Sequence, residues 1–213
     1  MNCDRSQLLL YAVTDRAWVG RQSLYEQVES ALRGGATMVQ LREKQLDAEG
    51  ILREARELAH LCKQYGVPFI LNDNVDLALA CGADGVHVGQ DDLAAAEARR
   101  KLGPDKIVGV SAHNVAEALA AVRDGADYLG SGAVFGSTTK TNVHTLPHET
   151  LQDICRAVDI PVVAIGGITK DNLPQLAGTG IDGVALVSAI FAAPDIEAEC
   201  RALRALTLQT IRA

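Results

Sequence analysis

One beat repeats along this chain: a short apolar run, a polar interval, an amphipathic stretch rich in Ala, Leu and Glu, then a glycine turn into the next apolar run. Several of those turns share nearly the same wording: Gly34-Gly35-Ala36, Gly82-Ala83-Asp84-Gly85, Gly125-Ala126-Asp127 and Gly180-Ile181-Asp182-Gly183. Glycine just past a helix end supplies a left-handed cap, and the short turn then re-enters a sheet. Apolar runs bounded by turn residues read as strands, expected here at 8–14, 37–42, 68–72, 85–88, 107–111, 128–132, 162–166 and 183–187. Amphipathic stretches fill the gaps as helices, for example 22–33, 47–65, 92–102, 115–124 and 195–211.

Alternation of this kind specifies the α/β class, with parallel strands joined through helices. Two architectures satisfy it, a closed barrel and an open doubly wound sheet. Eight units with no composition break favour a single (β/α)8 TIM barrel, one domain over residues 1–213. The length of 213 residues is near the lower end for such barrels. A content of 48% hydrophobic but only 4% aromatic residues suits strands buried on both faces beneath helices.

Net charge is −7, which opposes any broad attraction to nucleic acid or an anionic membrane, so an anion site must be local. Cys3, Cys62, Cys81, Cys155 and Cys200 are odd in number and scattered, and they contain no CxxC pair. They read as reduced thiols rather than a disulfide framework or a zinc site. No apolar run reaches the ~20 residues that span a bilayer, and residues 1–6 are polar and short, unlike a signal peptide. A cytoplasmic protein is the expectation; whether it forms a homo-oligomer is left open.

Polar and special residues gather at the carboxyl ends of the expected strands, where barrels place their active sites. Gln40, Arg42 and Lys44 occupy alternate positions after the second strand and face one way, a cationic comb that asks for an anion. Asn72 and Asp73 follow the third strand, Gly89 to Asp92 the fourth, Ser111 and His113 the fifth. The long interval 134–148 holds Ser137, Thr138, Thr139 and Lys140, and an extended loop of this kind is usually functional or mobile. Gly166-Gly167 follows the seventh strand and Ser188 the eighth, the usual place of a phosphate site.

Each group has a plainer reading. Arg42 and Lys44 would then pair with Glu43 or a neighbouring loop acid, and Asn72 and Asp73 would cap the helix starting near Val75. Asp92 would be an ordinary first-turn acid, Gly166-Gly167 a tight turn, and His87 a hydrogen-bonded core histidine. In the functional reading Asp73 and Asp92 hold Mg²⁺ through one or two carboxylates while substrate phosphates complete its shell. The comb and Lys140 then balance a pyrophosphate, and the Gly-Gly and Ser188 corner takes a separate phosphate. No nucleophilic triad, GxGxxG or P-loop is visible, so acyl transfer, dinucleotide chemistry and ATP hydrolysis lack support.

Gln-Leu-Arg-Glu-Lys (40–44), Asn-Asp (72–73), His-Val-Gly-Gln-Asp-Asp (87–92), Gly-Val-Ser-Ala-His (109–113), Ser-Thr-Thr-Lys (137–140), Ala-Ile-Gly-Gly-Ile (164–168) and Val-Ser (187–188) together resemble the thiamine phosphate synthase family. The similarity runs from Tyr11 to Phe191, and the combined set is far more specific than any fragment. It implies a Mg²⁺-dependent transferase that joins 4-amino-5-hydroxymethyl-2-methylpyrimidine diphosphate to a thiazole phosphate, releasing pyrophosphate. By the resemblance, Gln40, Arg42, Lys44, Asn72, Ser111 and Lys140 contact the pyrimidine diphosphate, with Arg42, Lys44 and Lys140 stabilising the departing charge. Asp73 and Asp92 serve the metal, while Ser137, Thr139, Gly167, Val187 and Ser188 hold the thiazole phosphate. Phe135-Gly136-Ser137 replaces the family's common Phe-Pro-Thr, and 141–148 replaces its usual glycine-rich tract. The competing readings are a thiazole tautomerase using His113 as base and a non-catalytic phosphate-ligand binder.

Overall fold

The structure, a computed structural model, describes residues 2–20, 22–90, 94–136 and 145–213. Among these residues eight parallel strands pair in chain order: β1 (Leu10–Val13), β2 (Met38–Leu41), β3 (Phe69–Asn72), β4 (Gly85–Val88), β5 (Ile107–Ser111), β6 (Tyr128–Gly132), β7 (Val162–Ile165) and β8 (Gly183–Leu186). The last pairs back onto the first, Leu10 opposite Val184, so the sheet closes and the open alternative falls away. Helices α1 (Leu24–Arg33), α2 (Ala48–Tyr65), α3 (Val75–Cys81), α4 (Ala95–Leu102), α5 (Val115–Arg123) and α6 (His148–Ala157) alternate with the strands. α7 (Ser188–Phe191) and α8 (Ile196–Thr210) close the chain. Between β7 and β8 only a 3-10 turn forms, Leu173–Leu176, with Pro174 at its start.

Several strands are a residue or two shorter than their apolar runs. Leu8 belongs to a 3-10 turn whose start is fixed by the Asp4 carboxylate on the Ser6 N–H, which shortens the first strand. Helix starts follow capping chemistry. Ser23 and Glu26 form a reciprocal box at α1. Asp47, Asn114 and Asp195 each accept a backbone N–H as caps of α2, α5 and α8. The expected start of the fourth helix, Asp92, lies outside the described residues.

The repeated turns have a shared mechanical role. Asp84 donates its N–H to Phe69 O at 2.8 Å, and its carboxylate accepts the Phe69 N–H at 2.8 Å. Asp127 grips Val108 the same way (2.7 and 3.0 Å), and Asp182 grips Val162 (2.8 and 2.9 Å). Thr37 does so with its hydroxyl, on Leu10 (2.8 and 2.9 Å). The starts of β1, β3, β5 and β7 are thus each clasped by the turn that enters the next strand.

Strand alternation splits the core in two. Leu10, Ala12, Val39, Leu71, Val86 and Leu129 point outward beneath the helices, while Tyr11, Met38, Ile70, Ile107, Tyr128 and Val163 fill the barrel interior. The tyrosines fit because Gly109 stands beside Tyr128: a Cβ there would lie 2.1 Å from the Tyr128 ring.

Candidate active site

At the carboxyl ends of the strands the barrel opens into a cavity of about 430 Å³. Gln40 reaches it from β2, and Arg42 and Lys44 line it from the segment just beyond, so the comb does share one face. Its cations are paired. Arg42 Nη1 lies 3.0 Å from Asp15 Oδ2, and Lys44 Nζ 2.5 Å from Asp73 Oδ2. The structural network offered by the plainer reading therefore exists, with Asp15 and Asp73 as partners, while Glu43 turns away to Arg16 at 2.5 Å. Burial pushes the Glu43 carboxyl up, but the Gln45 N–H and the Arg16 guanidinium outweigh it and hold it below the usual range. The Lys44 pair is solvent-exposed on the lysine side, at 53%, so separating it costs little, about 0–1 kcal/mol.

The segment after β1 braces this wall. The Thr14 hydroxyl accepts the Arg42 N–H at 3.0 Å, Asp15 holds the Arg42 guanidinium, and Arg16 bridges Glu43 and Glu54. Three successive residues of one strand's exit thus orient the exit of its neighbour.

Asn72 ends β3 and, with Asp73, lines the cavity. Neither caps α3; Asn74 does, accepting the Leu77 N–H at 2.9 Å. Asp73 adopts φ 64°, uncommon for a residue with a Cβ, and its N–H bonds His87 O at 2.8 Å. Ser111 ends β5 on the cavity wall, 3.0 Å from His87 Nε2. His87 is hydrogen-bonded, as the sequence suggested, yet it also lines the cavity, which strand alternation toward Gly89 would have signalled. At the mouth, His113 Nδ1 contacts Glu117 at 2.9 Å.

Gly166 and Gly167 lie on the wall with Val187 and Ser188. Both glycines have positive φ, 99° and 65°, and a Cβ would strike Ala133 in the first case and the Phe135 carbonyl in the second. The tight-turn reading is correct for them and does not remove them from the cavity. Ser188 begins the short helix α7 rather than a plain loop. Asp92, Ser137, Thr139 and Lys140 lie outside the described residues.

Among the described residues no cluster of three or more His, Cys, Asp or Glu forms a metal site. Asp73 alone fits a site of the kind in which one or two carboxylates and substrate phosphates share an octahedral ion. Its side chain is 27% exposed on the cavity wall, with Oδ2 held by Lys44 of the cationic comb.

A family model described as thiamine monophosphate synthase matches residues 10–190. The chain belongs to the thiamine monophosphate synthase family. Thiamine-phosphate synthase from Chloroflexus aurantiacus is 50% identical over 94% of this chain and 93% of its own length. A bifunctional thiamine-biosynthetic enzyme assigned to the chloroplast of Oryza sativa is 48% identical over 97% of this chain, which spans 38% of that larger protein. In three dimensions, thiamine phosphate pyrophosphorylase from Pyrococcus furiosus superposes with a TM-score of 0.89 at 39% identity, covering 97% of this chain and 98% of the other. Membership in the thiamine monophosphate synthase family makes the chain a transferase of thiamine biosynthesis, as the motifs implied. No helix among its described residues is long and apolar enough to cross a membrane.

The sequence reading missed Tyr11, which lines the cavity, and Asp15 and Tyr128, which hold the lining residues Arg42 and His87. The tyrosines looked like ordinary apolar-strand residues, and Asp15 became significant only once β1 and β2 lay side by side.

Proposed function

We propose that this chain condenses 4-amino-5-hydroxymethyl-2-methylpyrimidine diphosphate with a thiazole phosphate to give thiamine phosphate and pyrophosphate, by dissociative loss of pyrophosphate. The observation that carries the reading is one cavity with two distinct arcs: the Arg42–Lys44 wall beside Asp73, and the backbone corner of Gly167, Val187 and Ser188. A polyanion suits the first and a single phosphate the second.

On this reading Arg42, Lys44 and Lys140 hold the oxygens on which negative charge grows as the C–O bond to pyrophosphate breaks, so their charges stabilise the transition state more than the ground state. Asp73 and Asp92 hold Mg²⁺, which supplies further charge neutralisation when bound. Gln40, Asn72 and Ser111 orient the pyrimidine, and Ser137, Thr139, Gly167, Val187 and Ser188 orient the thiazole phosphate so that its ring nitrogen meets the electron-poor methylene carbon. The C–O bonding pair leaves with pyrophosphate and the lone pair of the thiazole nitrogen forms the new C–N bond, which asks for no protein nucleophile. As the substrate diphosphate enters, it competes with Asp73 for Lys44, an exchange made easy by the exposed pair.

The test is a coupled assay for thiamine phosphate and pyrophosphate with both substrates, with and without Mg²⁺. Product is expected only with both substrates and metal. Asp73→Ala is expected to raise the Mg²⁺ concentration giving half-maximal rate roughly tenfold or more. Interconversion of thiazole tautomers without pyrophosphate release would replace this reading with the tautomerase, and unchanged Mg²⁺ dependence in Asp73→Ala would remove Asp73 from the site.

A further inference from the structure

Five polar groups run unbroken across the cavity floor. Gln40 Nε2 lies 2.6 Å from the Tyr11 hydroxyl, the Tyr11 and Tyr128 hydroxyls are 2.8 Å apart, Tyr128 is 3.0 Å from His87 Nδ1, and His87 Nε2 is 3.0 Å from Ser111 Oγ. Tyr11 is 1% exposed and Tyr128 0%, so water does not complete either hydroxyl. Burial, above all, raises both phenols well beyond their ordinary range and keeps them protonated.

A phenol has one hydrogen to give, and an amide nitrogen only donates. Tyr11 therefore accepts from Gln40. Were Tyr128 also to donate to Tyr11, the Tyr11 hydrogen would have no acceptor among the described residues, an expensive loss in a dry interior. The arrangement that spends every hydrogen runs one way, from Gln40 through Tyr11 and Tyr128 to His87 Nδ1.

We propose that this chain of hydrogen bonds holds His87 as the neutral tautomer protonated on Nε2, which makes the Ser111 hydroxyl a donor into the cavity and leaves the Gln40 carbonyl oxygen as an acceptor. His87, accepting at Nδ1, gives its Nε2 hydrogen to Ser111 Oγ, so Ser111 turns its own hydrogen toward the ligand. The ring has room for this because Gly130 stands beside it, where a Cβ would lie 3.1 Å from His87 Cε1. Tyr128 and His87 act as positioning residues. For the substrate of the proposed function, on which this last step rests, an acceptor and a donor are the complement of an aminopyrimidine, whose amino group donates and whose ring nitrogens accept.

Long-range ¹H–¹⁵N NMR on the full ¹⁵N-labelled chain reads the tautomer directly, with the His87 signals assigned by their disappearance in His87→Gln. A protonated Nε2 and unprotonated Nδ1 at neutral pH are expected; the opposite tautomer, or a mixture, overturns the polarity. That measurement needs no substrate, so it stands even if wild-type protein fails to make thiamine phosphate, a result that would sink the reaction and leave the polarity supported. Tyr128→Phe removes one oxygen and keeps the ring. It is expected to mix the tautomers and raise KM for the pyrimidine diphosphate about tenfold with KM for the thiazole phosphate unchanged. Unchanged tautomer and KM, or an equal rise in both KM values, overturns the positioning role; should the variant not fold, the wild-type spectrum decides.

Discussion

Gly109 shows how one missing carbon shapes the site. Tyr128 Cζ would lie 2.1 Å and its hydroxyl 2.3 Å from any Cβ at that position, far inside van der Waals contact. The space left by glycine on β5 is occupied by a phenol from β6, and that phenol carries its hydroxyl to Tyr11 and His87. Gly109→Ala therefore cannot be accommodated by a small rotamer change, because Tyr128 is fully buried among neighbours that are themselves packed. The expected cost is about 3 kcal/mol, at the upper end for overpacking. For a chain of this size that corresponds to a melting temperature lower by roughly 6–12 °C. Calorimetry on the purified variant checks it, and a melting temperature within a degree or two of wild type would show that Tyr128 relocates freely.

At the scale of elements, the clasps made by Thr37, Asp84, Asp127 and Asp182 explain why one turn phrase recurs. A parallel strand that opens a barrel has its first N–H and C=O at the rim, where the next strand has not yet begun to pair. A side chain at the entering turn satisfies the N–H while its own backbone satisfies the C=O. The four clasps are not equal in burial. Asp84 is exposed, whereas Asp127 is 4% exposed and also holds Arg99 at 2.5 Å and the Asn2 N–H at 2.8 Å. Asp127→Ala takes the carboxylate from the Arg99 guanidinium, which keeps its bonds to the Gly103, Lys106 and Gly125 carbonyls, and leaves the buried Val108 N–H without its acceptor; it is expected to cost about 3 kcal/mol. Asp84→Ala is expected to cost about 1 kcal/mol. Both lie at the end of the barrel away from the cavity, so KM values measured well below the melting temperature should match wild type. Equal melting temperatures for the two variants would refute burial as the source of the difference.

For the molecule as a whole, the sequence made the strand order and the barrel legible because both depend on local patterns: apolar runs, caps and turn glycines. The comb was legible for a related reason: Gln40 lies within β2, and Arg42 and Lys44, although just beyond that strand, carry its alternation on into the same cavity. What was not legible depends on closure. Asp15 meets Arg42, and Asp73 meets Lys44, only because β1, β2 and β3 are neighbours in the ring. Tyr11 and Tyr128 come from strands 117 residues apart, and no local pattern announces that their hydroxyls touch.

The cysteines test whether that ring opens as one unit. All five are free thiols; Cys3, Cys62 and Cys200 are buried, and they lie before β1, on α2 and on α8. Burial pushes each of these three up to about 12, with nearby carboxylates, Asp127 for Cys3, Asp84 for Cys62 and Glu199 for Cys200, adding to it. At pH 8 a thiol with such a value is thiolate only about 10⁻⁴ of the time, and the thiolate is the reactive form. Native protein is therefore expected to leave these three unlabelled by a disulfide reagent over minutes, while guanidinium-unfolded protein yields all five thiols at once. Because they sit on separated elements, slow labelling of the three at one common rate would report opening of the whole barrel. Mass spectrometry of partly labelled protein distinguishes the cases: unmodified and triply modified populations at these sites mean one cooperative unit, and single modification at Cys200 ahead of the others would mean that α8 detaches on its own.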